Sequence, residues 1–384
     1  MTDTKDTKCA LLWSHLHVNI VGEVSPCCNT HGQDTGYWRD VKMEDGIWSH
    51  RHKEARDQMR RGEWPRACLA CKRLEDNGVR SIRQRQNDQK RGQRVDYDQE
   101  PDKIIWADIK FDKTCNLMCR HCSPFSSSLL EQEAPDLEYR YDHYASVKTN
   151  LVDNETKYEN VKKLIENGLE EFKTTGGEPT AQIYFMKLID WCIENDYAKK
   201  LMIRFTTNLV KFPKSFQEKL KQFRKVKVTV SCDAIGKEYE YIRYPATWDT
   251  FYKNLLDLSE LKKEYRFQAQ MDLVVMSYNL YQIAEMKQLA SSLGLETDVI
   301  YQLRPVNHPL QIKWLPDEIL DRAIEINAND ENLCKFILSC KGEPEIDKIQ
   351  GIDSFKKWTR ALDKSRNQDY HGFLHPDLIE VLDK

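Results

Sequence analysis

The sequence has no apolar run approaching the roughly 20 residues that a membrane-spanning helix needs, which excludes a helical integral membrane protein. Residues 1–8 are polar, unlike a signal peptide. The sequence also lacks a charge imbalance. With 58 Lys and Arg against 61 Asp and Glu, the net charge is −3, which gives no ground for a polyanionic partner of the whole molecule. These absences lead to the expectation of a cytoplasmic protein. In that compartment thiols stay reduced, and closely spaced cysteines act as metal ligands rather than disulfides.

What is present is the composition of an ordinary globular protein, 40% hydrophobic and 31% charged over 384 residues. The length allows one large domain with extensions, or two domains. The twelve cysteines fit a reducing compartment only if several hold metal. Seven of them fall into motifs.

The organising stretch is Cys115-Asn116-Leu117-Met118-Cys119-Arg120-His121-Cys122, a C-x3-C-x2-C spacing directly after a β-rich run at 104–111. Three thiolates on a four-iron cubane leave one iron open to a substrate or cofactor. An open metal position separates a catalytic site from a closed structural one. The competing readings are a zinc half-site and three buried thiols. Zinc loops more often pair C-x2-C units with a fourth ligand nearby, and no fourth cysteine follows soon. Gly176-Gly177-Glu178-Pro179 comes at the end of the next expected strand. Its glycines would let backbone approach a ligand closely, and Glu178 offers an acceptor for an ammonium group.

The three-cysteine loop followed by GGEP resembles the radical S-adenosylmethionine (radical SAM) superfamily, with His121 at the aromatic position before the last cysteine. The resemblance implies a partial (β/α)6 barrel of α/β class over residues 101–306. It also implies a [4Fe–4S] cluster on Cys115, Cys119 and Cys122, with S-adenosyl-L-methionine bound by its amino and carboxylate groups to the open iron. One electron would cleave the sulfonium bond and leave methionine and a 5′-deoxyadenosyl radical, which takes hydrogen from a substrate carbon. A reductant such as a flavodoxin or ferredoxin is implied with it. By the same resemblance Gly176, Gly177, Glu178, Pro179, Thr206, Asn208, Ser231, Asp233 and Arg304 are cofactor contacts. Asp233 could equally face the substrate, and ordinary strand-capping polar residues remain the alternative for Thr206, Asn208, Ser231 and Asp233.

The barrel reading is supported by alternation. Helical spacing at 158–169, 182–195, 215–223, 248–263 and 280–293 separates strand-like runs at 171–175, 201–205, 226–231, 267–275 and 296–303, the pattern of parallel βαβ units. Residues at the C-terminal ends of such strands are expected to line the site.

Residues 1–100 carry a second cysteine grammar, C-x12-G-x4-C from Cys9 through Gly22 to Cys27, then Cys68-Leu69-Ala70-Cys71. It resembles the twitch module, the shorter relative of the SPASM module, which carries an auxiliary [4Fe–4S] or [2Fe–2S] cluster. Twitch modules mostly follow the barrel, and this one precedes it. Residues 17–24 read as a hairpin turned at Gly22, bringing Cys9 and Cys27 together with Cys68 and Cys71. Structural zinc is the alternative, and Cys28 competes with Cys27. Between the motif halves, residues 51–94 hold fourteen Lys and Arg against six Asp and Glu. We read this stretch as a solvated helix and connector, with an RNA contact as the alternative. Residues 96–103 read as a linker.

Residues 307–384 read as a helical extension with helices at 316–326, 332–338 and 355–362 and breaks at Gly342 and Gly351. Cys192, Cys232, Cys334 and Cys340 read as packing thiols. The function expected is a radical SAM enzyme, an oxidoreductase or a peptide-modifying type, acting on a peptide or protein. A sugar alcohol or nucleotide-derived small molecule is the runner-up substrate. A metal-stabilised RNA-binding protein without turnover is the alternative of another class.

Overall fold

A computed structural model describes residues 7–30, 41–139, 152–301, 303 and 308–384. The chain is an α/β protein of two compact units. The first comprises Met1–Asp112, Lys148–Phe205 and Glu218–Val226, and the second Lys113–Val147, Thr206–Gln217 and Lys227–Lys384.

The first unit is built on the strands β1 (His15–Val18), β2 (Val24–Ser25), β3 (Trp106–Ile109), β4 (Glu171–Thr174) and β5 (Met202–Thr207), in the spatial order β2-β1-β3-β4-β5. The expected hairpin is there, with β1 antiparallel to β2 and His17 opposite Ser25. Its turn is closed by Asn19, whose Oδ1 accepts from Val21 N at 3.1 Å and Glu23 N at 2.9 Å. Gly22 has φ +91°, and a Cβ there would stand 2.7 Å from Val152, so both backbone and space demand glycine. The hairpin does more than gather cysteines. β1 pairs in parallel with β3, His17 opposite Asp108, and so adds a strand beyond the first strand of the expected barrel.

Period-two alternation then sorts the side chains of this unit. Leu16, Val18, Ala107, Ile109, Phe172, Ile203 and Phe205 share the apolar face and are buried. His15, His17, Trp106, Asp108, Glu171, Lys173 and Arg204 take the other. Helices Asn154–Glu166 and Ile183–Glu194 supply Val161, Ile165, Phe185, Leu188 and Ile189 to the core. The first starts at Asp153, whose carboxylate accepts from Thr156 N at 2.8 Å, a normal N-cap. Lys157 is buried and donates to Ile20 O at 2.6 Å and Phe111 O at 2.7 Å, tying the hairpin turn to the exit of β3. Burial pulls its pKa down to about 8.

The basic stretch 51–94 is largely solvated as expected, with eight of its fourteen Lys and Arg exposed, but three of its arginines turn inward. Arg56, on helix His50–Arg60, has no exposed surface; it donates to Leu12 O at 3.0 Å, Ile47 O at 2.7 Å and Glu100 Oε2 at 2.6 Å. Arg83 pairs with Glu75 at 2.7 Å and donates to Lys8 O. Arg91 pairs with Glu171 and stacks 3.9 Å from the Trp106 ring centroid. These guanidiniums are structural cross-links, favoured because a planar fork satisfies several buried acceptors at once. The stretch 96–103 is tied down too, since Gln99 O accepts from Trp13 Nε1 at 2.9 Å and Pro101 O from Trp48 Nε1 at 2.8 Å.

The second unit carries β6 (Lys225–Ser231), β7 (Phe267–Val274) and β8 (Glu296–Ile300) in that order, with β7 and β8 parallel. The division of the chain falls inside β5 and β6. Helices Gly236–Ile242, Trp248–Glu264 and Ile283–Ser292 separate these strands, and Asp317–Ile326, Glu331–Cys340, Glu345–Arg366 and Pro376–Asp383 follow. Gly351 is not a break. It lies inside helix Glu345–Arg366, where a Cβ would meet the Trp314 ring at 2.4 Å, so the glycine serves close packing rather than termination. Among the described residues no helix is long and apolar enough to cross a membrane.

Candidate active site

In the second unit the three-cysteine loop is held by its own main chain. Ser128 Oγ accepts from Cys115 N at 3.3 Å, Ser127 Oγ donates to Leu117 O at 2.8 Å, and Cys122 N donates to Cys119 O at 3.1 Å. Met118 N donates to Tyr244 O at 2.7 Å and Arg120 N to Ile242 O at 2.8 Å. Those two bonds flank Cys119 on one segment and Arg243 on the other. The Arg120 side chain points the opposite way and is fully buried. It donates to Tyr241 O at 2.9 Å, pairs with Asp363 and lies 3.5 Å from the Tyr241 ring centroid. Trp358 Nε1 donates to Arg120 O at 3.1 Å. Helix Glu345–Arg366 therefore grips the back of the loop, a role its sequence did not announce.

Cys115, Cys119 and Cys122 are half-buried, yet burial dominates at the sulfurs of Cys119 and Cys122. It pushes Cys122 up to about 12, with Cys119 adding to the rise. Cys119 is raised by burial and pulled back by Arg243. Thiols in such surroundings keep their protons until a cation takes their place, so metal binding here releases protons.

The polar residues after β5 and β6 divide. Asn208 Nδ2 donates to Asn116 Oδ1 at 2.8 Å, linking the end of β5 to the cysteine loop, and its Oδ1 accepts from Val210 N at 3.1 Å. Thr206 and Ser231 are half-buried at the ends of their strands. Asp233 is fully buried and turned onto protein. Its Oδ2 lies 2.6 Å from Arg243 Nη2, an ion pair off the angles of a hydrogen bond, and 3.4 Å from His121 Nε2. Arg243 Nη1 reaches the Cys119 sulfur at 3.9 Å. Asn279 donates to Asp233 O at 2.6 Å and accepts from Met276 N at 2.9 Å, so it joins loops. Arg304 lies outside the described residues.

In the first unit, Gly176 and Gly177 both have positive φ, +86° and +56°. A Cβ on Gly176 would crowd Ile20 and Lys110 at 3.2 Å. Gln182 pins the turn, donating to Gly176 O at 2.7 Å and Asp112 O at 2.8 Å. Glu178 is buried and caps the turn Pro179–Ala181, accepting from Thr180 N at 3.1 Å and Thr180 Oγ1 at 2.8 Å.

The same unit draws Cys9, Cys27, Cys68 and Cys71 around one cavity of about 20 Å³, with Met59, Ala67 and Arg83 beside them. Burial pushes Cys9 up to about 12 and holds Cys27 and Cys68 well above the usual thiol range, and neighbouring cysteines add to the rise in each. Cys28 turns away. It is exposed, and its charged neighbours are Lys173, Asp108 and Lys110. Among the described residues no three His, Cys, Asp or Glu side chains stand at the geometry of a bound metal ion. The shared cavity is the more informative observation, because it reports where the backbone has brought the thiols, whereas rotamers can change on binding. The donor set fits a soft metal centre. At its present size the cavity takes one ion or water; a cluster requires the thiols to swing outward.

Sequence reasoning missed a polar row on the first unit's sheet. His17, Asp108 and Lys173 share one register across β1, β3 and β4. Lys173 Nζ lies 2.7 Å from Asp108 Oδ2, and the buried Asp108 Oδ1 has no hydrogen-bond partner. Burial would raise this carboxyl, but Lys173, His17 and Lys110 together hold it well below the usual carboxylate range. The signal was the alternation of charge in Asp108-Ile109-Lys110 and Glu171-Phe172-Lys173, too short to count as a pattern.

Residues 109–276 match the family model described as "Radical SAM superfamily", a span that contains Cys115, Cys119, Cys122 and Gly176 to Pro179. That segment is matched by the radical SAM domain family. A [4Fe–4S] cluster and S-adenosylmethionine are the cofactors of that domain. No curated protein matches the chain. Among solved structures, SuiB of Streptococcus suis bound to S-adenosylmethionine is 16% identical with a TM-score of 0.38, over 59% of this chain and 48% of its own. The structure described as anSMEcpe with bound AdoMet is 19% identical with a TM-score of 0.40, over 59% and 58%. The complex of Streptococcus suis SuiB with precursor peptide SuiA is 16% identical with a TM-score of 0.39, over 68% and 58%. The matches thus span about half the length of those solved chains.

Proposed function

We propose that the radical SAM domain of this chain abstracts hydrogen from a peptide or protein substrate, and that a second metal centre on Cys9, Cys27, Cys68 and Cys71 exchanges an electron with the reaction. The observation that carries the first part is the family match over a segment holding both the three-cysteine loop and the GGEP turn. When bound, the reduced cluster and S-adenosylmethionine supply methionine and a 5′-deoxyadenosyl radical. The protein's own residues bind and orient. Cys115, Cys119 and Cys122 are the cluster ligands, and the positive-φ glycines of GGEP open the backbone for close approach. The Glu178 carboxylate accepts from the cofactor's ammonium. Thr206, Asn208 and Ser231 offer hydroxyl and amide groups to its ribose and carboxylate.

The peptide preference draws on the polar row. Asp108 is buried and aims the partly exposed Lys173 ammonium, which would donate to a backbone carbonyl. Hydroxyls of a sugar alcohol present acceptors as well, which keeps a small-molecule substrate as the second reading. The neighbouring Cys27 and Cys28 favour an electron-transfer role for the second centre. One thiol lines the four-cysteine cavity and the next faces Asp108 and Lys173. A non-catalytic RNA-binding protein is disfavoured by the intact three-cysteine set with GGEP, since a scaffold would not require an open iron, and Arg56, Arg83 and Arg91 of the basic stretch are spent on internal acceptors.

The test is anaerobic reconstitution with iron and sulfide, beside the Cys115→Ala/Cys119→Ala/Cys122→Ala variant, followed by dithionite and S-adenosylmethionine. The expected result is 5′-deoxyadenosine from the wild type alone, with co-expressed candidate peptides showing loss or transfer of hydrogen by mass spectrometry. An iron-loaded wild type that yields no nucleoside with any candidate would sink the catalytic reading. Nucleoside without peptide modification, but with turnover of a polyol, would move the substrate to the second reading.

A further inference from the structure

Arg243 stands opposite Cys119. The main-chain bonds Met118 N to Tyr244 O and Arg120 N to Ile242 O bracket the two residues, so their side chains meet by register rather than by chance. The guanidinium, 5% exposed, reaches the Cys119 sulfur through Nη1 at 3.9 Å and Asp233 Oδ2 through Nη2 at 2.6 Å. Asp233 is in turn fixed by Val274 N, which donates to its Oδ1 at 3.2 Å, and is faced by His121. A permanent cation is therefore pressed against one thiol of the three-cysteine loop and aimed by a buried carboxylate.

We propose that Arg243, aimed by Asp233, is a positioning residue that sets the reduction potential of the cluster bound through Cys119. The inference rests on the assignment of Cys115, Cys119 and Cys122 as cluster ligands. Reduction adds one negative charge to a centre already held by thiolates. A donor to a ligand sulfur and a positive charge beside it both favour the reduced form, and the interior strengthens the effect by its weak screening. Asp233 opposes it by its own charge while holding the guanidinium in place. The two residues thus act with opposite sign. A merely structural pair would not, since loss of either partner would disturb the loop alike.

The experiment is a redox titration of the reconstituted full-length protein, followed by electron paramagnetic resonance on the signal that changes when S-adenosylmethionine is added. Arg243→Gln should lower the midpoint by at least a tenfold change in the reduction equilibrium, about 59 mV for one electron. Asp233→Asn should raise it, and Arg243→Lys, which keeps the charge, should stay near the wild type. Iron-loaded Arg243→Gln and Asp233→Asn proteins with wild-type midpoints, or with shifts in the same direction, would overturn the inference and leave the cluster assignment standing. If Arg243→Gln fails to hold iron, a wild-type midpoint in Asp233→Asn overturns it equally. A wild type that takes up no iron at the three-cysteine loop defeats the assignment itself.

Discussion

The two cysteine sets of this chain follow plans that share burial and differ in the cation beside the sulfurs, Arg243 at Cys119 in one and Arg83 lining the cavity in the other. The three thiols of Cys115, Cys119 and Cys122 sit on a loop held between cations, Arg243 at the Cys119 sulfur and Arg120 locked behind it on Asp363. The four thiols of Cys9, Cys27, Cys68 and Cys71 converge in a small cavity with Met59 and Ala67, packed against the cluster of Leu11, Leu12 and Trp13. The first plan compensates negative charge beforehand and suits a centre that changes charge during turnover. In the second, burial holds Cys9, Cys27 and Cys68 protonated until metal arrives, as it does Cys119 and Cys122 in the first. The four thiols surround a small cavity, which suits a centre that the fold closes around. On the ligand sets proposed above, the number of thiols makes the same distinction, three leaving a position open and four closing it.

The comparison can be broken most completely at the ligands. Replacing Cys115, Cys119 and Cys122 together by alanine should remove about four irons per chain, as expected of one lost cubane, and abolish 5′-deoxyadenosine formation. Metal at the other set should stay, and iron with zinc counting on both proteins reads this directly. Zinc rather than iron in that variant would make the four-cysteine set a structural site.

Next in size is the choice between adjacent thiols. Cys27→Ala should release the second centre's metal, while Cys28→Ala should retain it, because Cys28 faces Lys173 and Asp108 instead of the cavity. Equal metal loss in the two variants would contradict the division.

The third break is mechanical and confined to the second unit. Arg120→Ala removes the cation paired with buried Asp363 and leaves it the hydrogen bonds from Tyr241 Oη and Tyr370 N, a change that costs up to about 3 kcal/mol. Denaturation should report that loss, while metal at the four-cysteine set stays as in the wild type.

The last break belongs to the first unit and, within one pH unit, is the smallest; it is read with acid. His15 is pulled down to about 4 and His52 to about 3 by burial, so the folded chain refuses protons that the unfolded chain accepts below about pH 6.5. Stability should therefore fall as pH drops from about 6.5 toward 4, by about 1.4 kcal/mol per pH unit for each histidine. His15→Phe should flatten the slope, as a melting series across that pH range would show. An unchanged slope would mean that His15 is already charged in the folded state.

The strand and helix sequence of the barrel was largely legible because each βαβ unit repeats a change of period, from two in 226–231 to 3.6 in 248–263. Boundaries moved by a few residues, and the short helices Gly236–Ile242 and Ser128–Glu133 went unseen, being shorter than the window that periodicity needs. The hairpin at Gly22 was legible from its glycine, whereas its parallel pairing with β3 was not, since partner choice is a tertiary matter. Gly351 misled because a glycine inside a helix reads as a stop unless the ring it accommodates, Trp314, is known. At the site, cysteine spacing named the candidate ligands. What it left out were the arginines. Arg120 and Arg243 look like surface residues in a charged sequence, and only the fold shows them turned inward onto Asp363, Asp233 and Cys119.

The central claim is that the three-cysteine loop carries the cluster with an open position. The most direct measurement is the electron paramagnetic resonance spectrum of the dithionite-reduced, reconstituted protein before and after adding S-adenosylmethionine, with the triple cysteine variant beside it. The account predicts a cluster signal that changes on addition in the wild type and is missing from the variant. A fully loaded wild type whose spectrum ignores S-adenosylmethionine, or a responsive signal that survives in the variant, would contradict it.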